Sequence, residues 1–245
     1  METEILYRPS YSLTRIKLGP GEEVRVEGGS MVSMSADVVL ETKAEGGLLK
    51  SLARSVLGGE SFFINTYKAA GRGGEVNVAP SLPGDMIALN LQGETLMVQS
   101  GSFVACEKNI AIDTAWGGAK TFFASEGLIM LKASGSGLLV LSSYGAIHEM
   151  NLGAGEKYTV DTGHLVAFSA NVGFQVRKVG GLKSTLFSGE GLVVDLTGPG
   201  RVLMQTRSTD AFLSWLIPKL PTSSQGGKGM SIKLGRSCPE KVQRV

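Results

Sequence analysis

Only two cysteines, Cys106 and Cys238, and two histidines, His148 and His164, occur among 245 residues. Cysteines so few and so far apart form neither a disulfide framework nor a zinc-ligand spacing, and two histidines are too few for a nitrogen-rich metal centre of the cupin type. No apolar run comes near the ~20 residues that a membrane-spanning helix needs, because Lys132, Ser134 and Gly135 interrupt the most apolar region. The first residues, with Glu2, Glu4 and Arg8, lack the basic and then apolar order of a signal peptide. These absences predict a protein of the reducing cytoplasm. Catalytic motifs are missing as well. There is no Gly-x-Ser-x-Gly elbow, and Gly71-Arg72-Gly73-Gly74 has neither the ending of a Walker loop nor a following helix. It reads as a hairpin turn. The expectation is a non-enzyme with no cofactor and no metal.

What is abundant is glycine, 34 residues within a sequence that is 42% hydrophobic and 19% charged. That mixture belongs to a globular protein with a sizeable core, and glycines set into apolar alternation mark tight turns. Charge is unevenly shared. Lys219, Lys228, Lys233, Arg236, Lys241 and Arg244 against Glu240 give residues 219–245 a charge of +5, so the +2 of the whole leaves −3 on the body. A mildly acidic body does not favour nucleic acid, and the basic end reads as a solvated tail.

Self-similarity organises the rest. Gly21-Glu22 recurs as Gly93-Glu94 and Gly155-Glu156, each followed by a further glycine, Gly29, Gly101 and Gly163. Between them apolar residues alternate: Val24 and Val26, Leu96 and Val98, Tyr158 and Val160. That is strand periodicity with one buried face. The apolar pairs Met31-Val32, Phe103-Val104 and Leu165-Val166 follow, then Val38/Leu40, Ile110/Ile112 and Val172/Phe174. Each copy next reaches a diglycine (Gly46-Gly47, Gly117-Gly118, Gly180-Gly181), a lysine, a glutamate opening another apolar run (Glu60, Glu126, Glu190), and a Gly-x-Gly turn at Gly71/Gly73, Gly135/Gly137 or Gly198/Gly200. The glycines are 72 and 62 residues apart, and the first copy is longer around its diglycine.

The pattern predicts an all-β protein of three tandem β-sandwich units of double-stranded β-helix type, at about 12–81, 82–144 and 145–207, in a pseudo-threefold arrangement. The insertion near 48–57 has amphipathic spacing and predicts a short helix. A second helix is expected near 209–217, capped around Ser208 and stopped by Pro218, covering an edge of the β array. Residues 1–220 would form one β domain, and 221–245 a flexible basic tail.

Candidate sites weigh against scaffold roles. Glu22, Glu94 and Glu156 could gather around an axis to hold a cation, but a carboxylate beside a glycine turn more simply accepts the turn N–H groups. His164 stands where the other copies have Ser30 and Ser102 and reads as a turn residue. Cys106 reads as a buried thiol. The diglycine segments would present Leu48, Leu49 and Lys50, then Lys120, Phe122 and Phe123, then Lys183, Leu186 and Phe187 as three like elements on one face. Such a face could meet another copy or a membrane surface, or fold back to plug the sandwich ends. A ligand cleft, in contrast, would draw on residues that break the repeat: Arg72, Trp116, His148 and Arg201.

Four stretches carry a family resemblance: the diglycine-Leu-Lys segment leading to Gly59-Glu60-Ser61-Phe62-Phe63; Ala79-Pro80 with Pro83-Gly84; Gly101-Ser102-Phe103-Val104-Ala105; and Thr206-Arg207-Ser208 through Trp215-Leu216-Ile217-Pro218-Lys219-Leu220-Pro221. In these the chain resembles the bacterial and archaeal branch of the altered-inheritance-of-mitochondria protein 24 family over nearly all of 1–220. The resemblance implies three units similar to the trp RNA-binding attenuation protein, an inner-membrane association in eukaryotic relatives, and no established catalytic residues. RNA binding does not carry over, since no periodic Lys/Arg set is present. The functional expectation is a non-enzymatic scaffold or assembly factor that self-associates and contacts a membrane periphery; the alternative is a binding module for RNA or a small ligand.

Overall fold

Apolar alternation becomes strand wherever one face can be buried, and the computed structural model, which describes residues 1–41, 56–57, 60–61, 63–113, 128–179 and 192–221, is almost wholly built that way. An N-terminal strand β1 (Glu2–Leu6) precedes a first stretch of β2 (Leu13–Leu18), β3 (Glu23–Glu27), β4 (Met31–Met34), β5 (Val38–Glu41), β6 (Val56–Leu57), β7 (Glu60–Ser61), β8 (Ile64–Ala69) and β9 (Gly74–Val78). A second holds β10 (Met86–Gln99), β11 (Phe103–Glu107), β12 (Ile110–Asp113) and β13 (Met130–Ser142). The third holds β14 (Ile147–Leu152), β15 (Lys157–Asp161), β16 (Leu165–Ser169), β17 (Gly173–Lys178), β18 (Leu192–Thr197) and β19 (Gly200–Gln205), and is followed by helix α1 (Thr209–Leu216).

All ladders between these strands are antiparallel. In the first stretch β2 and β4 flank β9, while β3 and β5 flank β8. In the second, the first half of β10 and β11 pair with the second half of β13, while the second half of β10 and β12 pair with its first half. In the third, β14 and β16 flank β19, while β15 and β17 flank β18. Two further ladders join the stretches, β11 to β3 and β16 to β10. A sheet of ten strands therefore runs through all three. In β4, β11 and β16 the register slips by one residue at the second member of each apolar pair, at Val32, Val104 and Val166, the signature of a β-bulge.

Burial follows the same division. One cluster packs Ile16, Val24, Val26, Val76 and Val78 with Val104 and Ala105 of β11. A second packs Leu96, Phe103, Ile110, Leu139 and Leu141 with Val166 and Ala167 of β16. A third packs Leu165, Phe168, Leu196 and Val202 with Met97 and Met130. Each wholly buried Leu or Phe contributes roughly 1.5–3 kcal/mol relative to exposure, so three such clusters hold the array.

Several expectations need correction. Val56 and Leu57, the last two residues of the helix expected over 48–57, form strand β6 and pair with Ser61 and Glu60 of β7. Val56 is β-branched and favours strand over a short helical period; residues 48–55 lie outside the described residues. Gly135 and Gly137 do not end a strand: at φ +128° and +139° they carry β13 on through thirteen residues. Gly93, at φ +99°, likewise lies inside β10 opposite a register shift. Gly29 sits in a turn at φ +97°, whereas Gly101 and Gly163 lie in single 3-10 turns. The C-terminal helix forms as expected, with Ser208 Oγ accepting from the Ala211 N–H at 3.4 Å. It does not cover a sheet edge, however: none of its residues is buried, and Phe212 meets Tyr144 edge-on with ring centroids 6.1 Å apart.

Candidate functional site

The nine residues expected to form a contact face, Leu48, Leu49, Lys50, Lys120, Phe122, Phe123, Lys183, Leu186 and Phe187, lie outside the described residues, as do Trp116, Glu126, Glu190 and Cys238. Of the residues expected to line a ligand cleft, Arg72 belongs to the β8–β9 turn, while His148 and Arg201 lie on the paired strands β14 and β19. Arg201 Nε is engaged with Glu149 at 3.2 Å. Arg72 thus follows β8, which lies near the opposite end of the ten-stranded sheet from the β14–β19 pair.

The repeated glutamates are turn fasteners. Glu22 Oε2 accepts the Gly19 N–H at 2.7 Å, Glu94 Oε2 the Gln92 N–H at 2.6 Å and Glu156 Oε2 the Gly153 N–H at 2.7 Å. Gly21, Gly93 and Gly155 beside them all adopt positive φ, which a side chain would strain. The accepted N–H groups hold Glu22 and Glu94 below the usual carboxylate range, first through the bonds from Gly19 and Gln92. No cluster of three or more His, Cys, Asp or Glu side chains suited to a metal occurs among the described residues. His164 belongs to the 3-10 turn before β16, with Nδ1 2.8 Å from the Gln205 carbonyl oxygen. Cys106 is fully buried, and burial pushes its thiol up to about 11, so it is no nucleophile.

One cavity of about 470 Å³ draws on all three stretches. Glu27 comes from the end of β3, Gln99 and Ser102 from the β10–β11 turn, Thr162 from the β15–β16 turn, and Ser143 and Ser208 from the segments leading into the third stretch and helix α1. Several of its polar groups are committed to the scaffold. Ser143 Oγ donates to the Gly145 carbonyl at 2.7 Å, Thr162 Oγ1 to the Leu192 carbonyl at 3.2 Å, and Gln205 Nε2 to the Gly163 carbonyl at 2.8 Å. Such a wall can hold a small polar molecule but offers no nucleophile paired with a base. Sequence periodicity did not find this cavity, because its lining is spread from residue 27 to residue 213.

A charged junction is tied to the cavity wall through Ser143. Asp85 is buried, and its carboxylate accepts from Arg8 Nε and Nη2, both at 2.8 Å, from Ser12 Oγ at 3.0 Å and from the Met86 N–H at 2.8 Å. Burial opposes its ionisation, but the bonds from Arg8, Met86 and Ser12 outweigh that, and the carboxyl stays below its ordinary range. The Asp85 backbone in turn ties to Ser143 and Gly145 at 2.9 and 2.8 Å. At Gly84 an added Cβ would run into the Ser143 carbonyl oxygen, so the chain crosses itself here at a distance only glycine permits.

The family model described as mitochondrial biogenesis AIM24 matches residues 3–207. The chain belongs to the AIM24 family. An uncharacterized protein of Streptococcus pyogenes serotype M6 is 30% identical to this AIM24-family chain over 222 residues, covering 87% of it and 89% of the relative. The X-ray crystal structure of a Streptococcus pyogenes protein superposes with a TM-score of 0.75 at 28% identity, covering 89% of the AIM24-family chain and 99% of that structure. Among the described residues no helix is long and apolar enough to cross a membrane.

Proposed function

We infer that this AIM24-family protein is a non-enzymatic scaffold that acts by self-association, built from three tandem β-sandwich units, at about 12–81, 82–144 and 145–207, in a pseudo-threefold arrangement. The observation that carries the reading is the one ladder scheme repeated by β2–β9–β4 with β3–β8–β5, by the halves of β10 and β13 with β11 and β12, and by β14–β19–β16 with β15–β18–β17. A unit used three times supplies like surfaces, which suits assembly better than a single reaction centre. The polar cavity and the inert Cys106 support the non-enzymatic part of the reading. Sedimentation of the purified full chain is expected to give a mass of at least two chains of 25.7 kDa each; a single-chain mass at micromolar concentration would remove the reading.

A second reading, peripheral contact with a membrane, is favoured by helix α1 and the 3-10 turn that follows it at Ile217–Lys219. Trp215, Ile217 and Leu220 are exposed, and Lys219 Nζ lies 4.9 Å over the Trp215 ring. Aromatic and apolar side chains beside a lysine suit the interface of an anionic bilayer. Flotation with vesicles containing phosphatidylserine is expected to carry the wild-type protein upward and to leave a Trp215→Ser/Ile217→Ser variant at the bottom; equal flotation of the two would refute a role for the helix.

A further inference from the structure

Strand pairing between stretches follows one rule, and the rule leaves two edges over. Strand β11 of the second stretch pairs with β3 of the first, placing Ala105 opposite Val26 and Cys106 opposite Arg25. Strand β16 of the third pairs with β10 of the second, placing Ala167 opposite Val98 and Phe168 opposite Met97. Both sides of these ladders advance by the same 72 and 62 residues that separate Gly29, Gly101 and Gly163. Applied once more, the rule puts β4 against β15 with Ser33 opposite Val160 and Met34 opposite Thr159, the ladder that a fully closed threefold would make within one chain. Among the described strands, however, β4 pairs only with β9 and β15 only with β18. Strands β5, β12 and β17 are outer edges in all three stretches, whereas β4 and β15 are free edges whose counterparts are paired.

Burial tells the same story. At the bulge, Val104 and Val166 are wholly buried in the neighbouring stretch's core, while Val32 is 55% exposed. Val24 and Leu96 are buried, while their counterpart Tyr158 is 41% exposed. Met31 and Met34 extend the exposed strip on β4. An apolar strand edge of this kind is a template for another strand, and the molecule carries one edge of each complementary type.

We propose that β4 of one copy of this chain pairs antiparallel with β15 of a second copy, in the register Met34 opposite Thr159, and that Val32 buries into the third cluster of the partner. The occupant is a second copy because, among the described strands, β4 and β15 are the complementary pair that the repeating rule leaves unmatched, and the chain's own ladders leave both edges open. Two copies exchanging both edges close into a twofold dimer; a rotation that fails to close gives an open polymer. The pairing rests on the self-association inferred above and names its surface.

The test uses the full chain in a Cys238→Ser background, Cys106 being buried. Differently tagged Met34→Cys and Thr159→Cys proteins are co-expressed and treated with a short bis-maleimide. The expected result is a covalent heterodimer in the mixture and none from either variant alone. A link formed only within the Met34→Cys/Thr159→Cys double variant, leaving monomers, would show the chain closing on itself and overturn the proposal; no link at all would also overturn it. Val32→Lys supplies the second measurement: the solution mass is expected to fall to one chain with the unfolding midpoint retained, and an unchanged mass counts against the pairing. A wild-type protein that is already monomeric removes the self-association reading, whereas an oligomer without the 34–159 link removes only this assignment.

Discussion

Asp85→Ala is expected to lower the unfolding free energy by about 3 kcal/mol, the range for breaking a buried ion pair at one partner. The carboxylate has four bonds to lose, from Arg8 twice, Ser12 and Met86. Arg8 is half exposed and can turn to water, but Ser12 and the Met86 N–H are buried and would keep no such partner. The pH dependence has a definite sign. Because the folded carboxyl titrates below the unfolded value, its contribution is complete above the ordinary Asp range near pH ~4 and is lost as pH falls through the folded value. Urea unfolding of wild type and variant should therefore differ fully at pH 7 and converge in acid; a constant difference would mean the carboxylate is not the group involved.

Phe103→Ala is expected to cost about 3–5 kcal/mol, as for a fully buried aromatic whose site cannot collapse, because Phe103 is wholly enclosed in the second cluster. Met31 occupies the matching place before the bulge in β4 yet is 36% exposed, so Met31→Ala should cost no more than about 1 kcal/mol. Chemical denaturation of the two variants side by side checks the contrast. Equal losses would mean that β4 is as enclosed as β11.

The contrast also marks where the sequence was legible. Alternation at Val24/Val26 and Leu96/Val98 lies on strands β3 and β10, because a half-buried strand must alternate. The carboxylates beside Gly21, Gly93 and Gly155 were legible for a local reason: the bond closes within three residues. Tyr158 and Leu96 have the same sequence setting, but Leu96 is paired on both sides, with β13 and β16, whereas Tyr158 is paired on one side, with β18, and nothing within either segment announces that. Helix α1 was found from its cap and its proline, whereas its lack of cover was not, since burial depends on what stands opposite. The cavity escaped because hydroxyl and amide groups spread over 27–213 have no period to detect.

Strands β11 and β16 each serve two hydrophobic clusters, Val104 and Ala105 facing one way while Phe103 and Cys106 face the other, and Val166 and Ala167 facing one way while Leu165 and Phe168 face the other. Excising any third of the polypeptide would therefore strip a wall from the piece left behind. Fragments cut near residues 81 or 144 should prove insoluble by themselves, and the whole should melt as a single cooperative body.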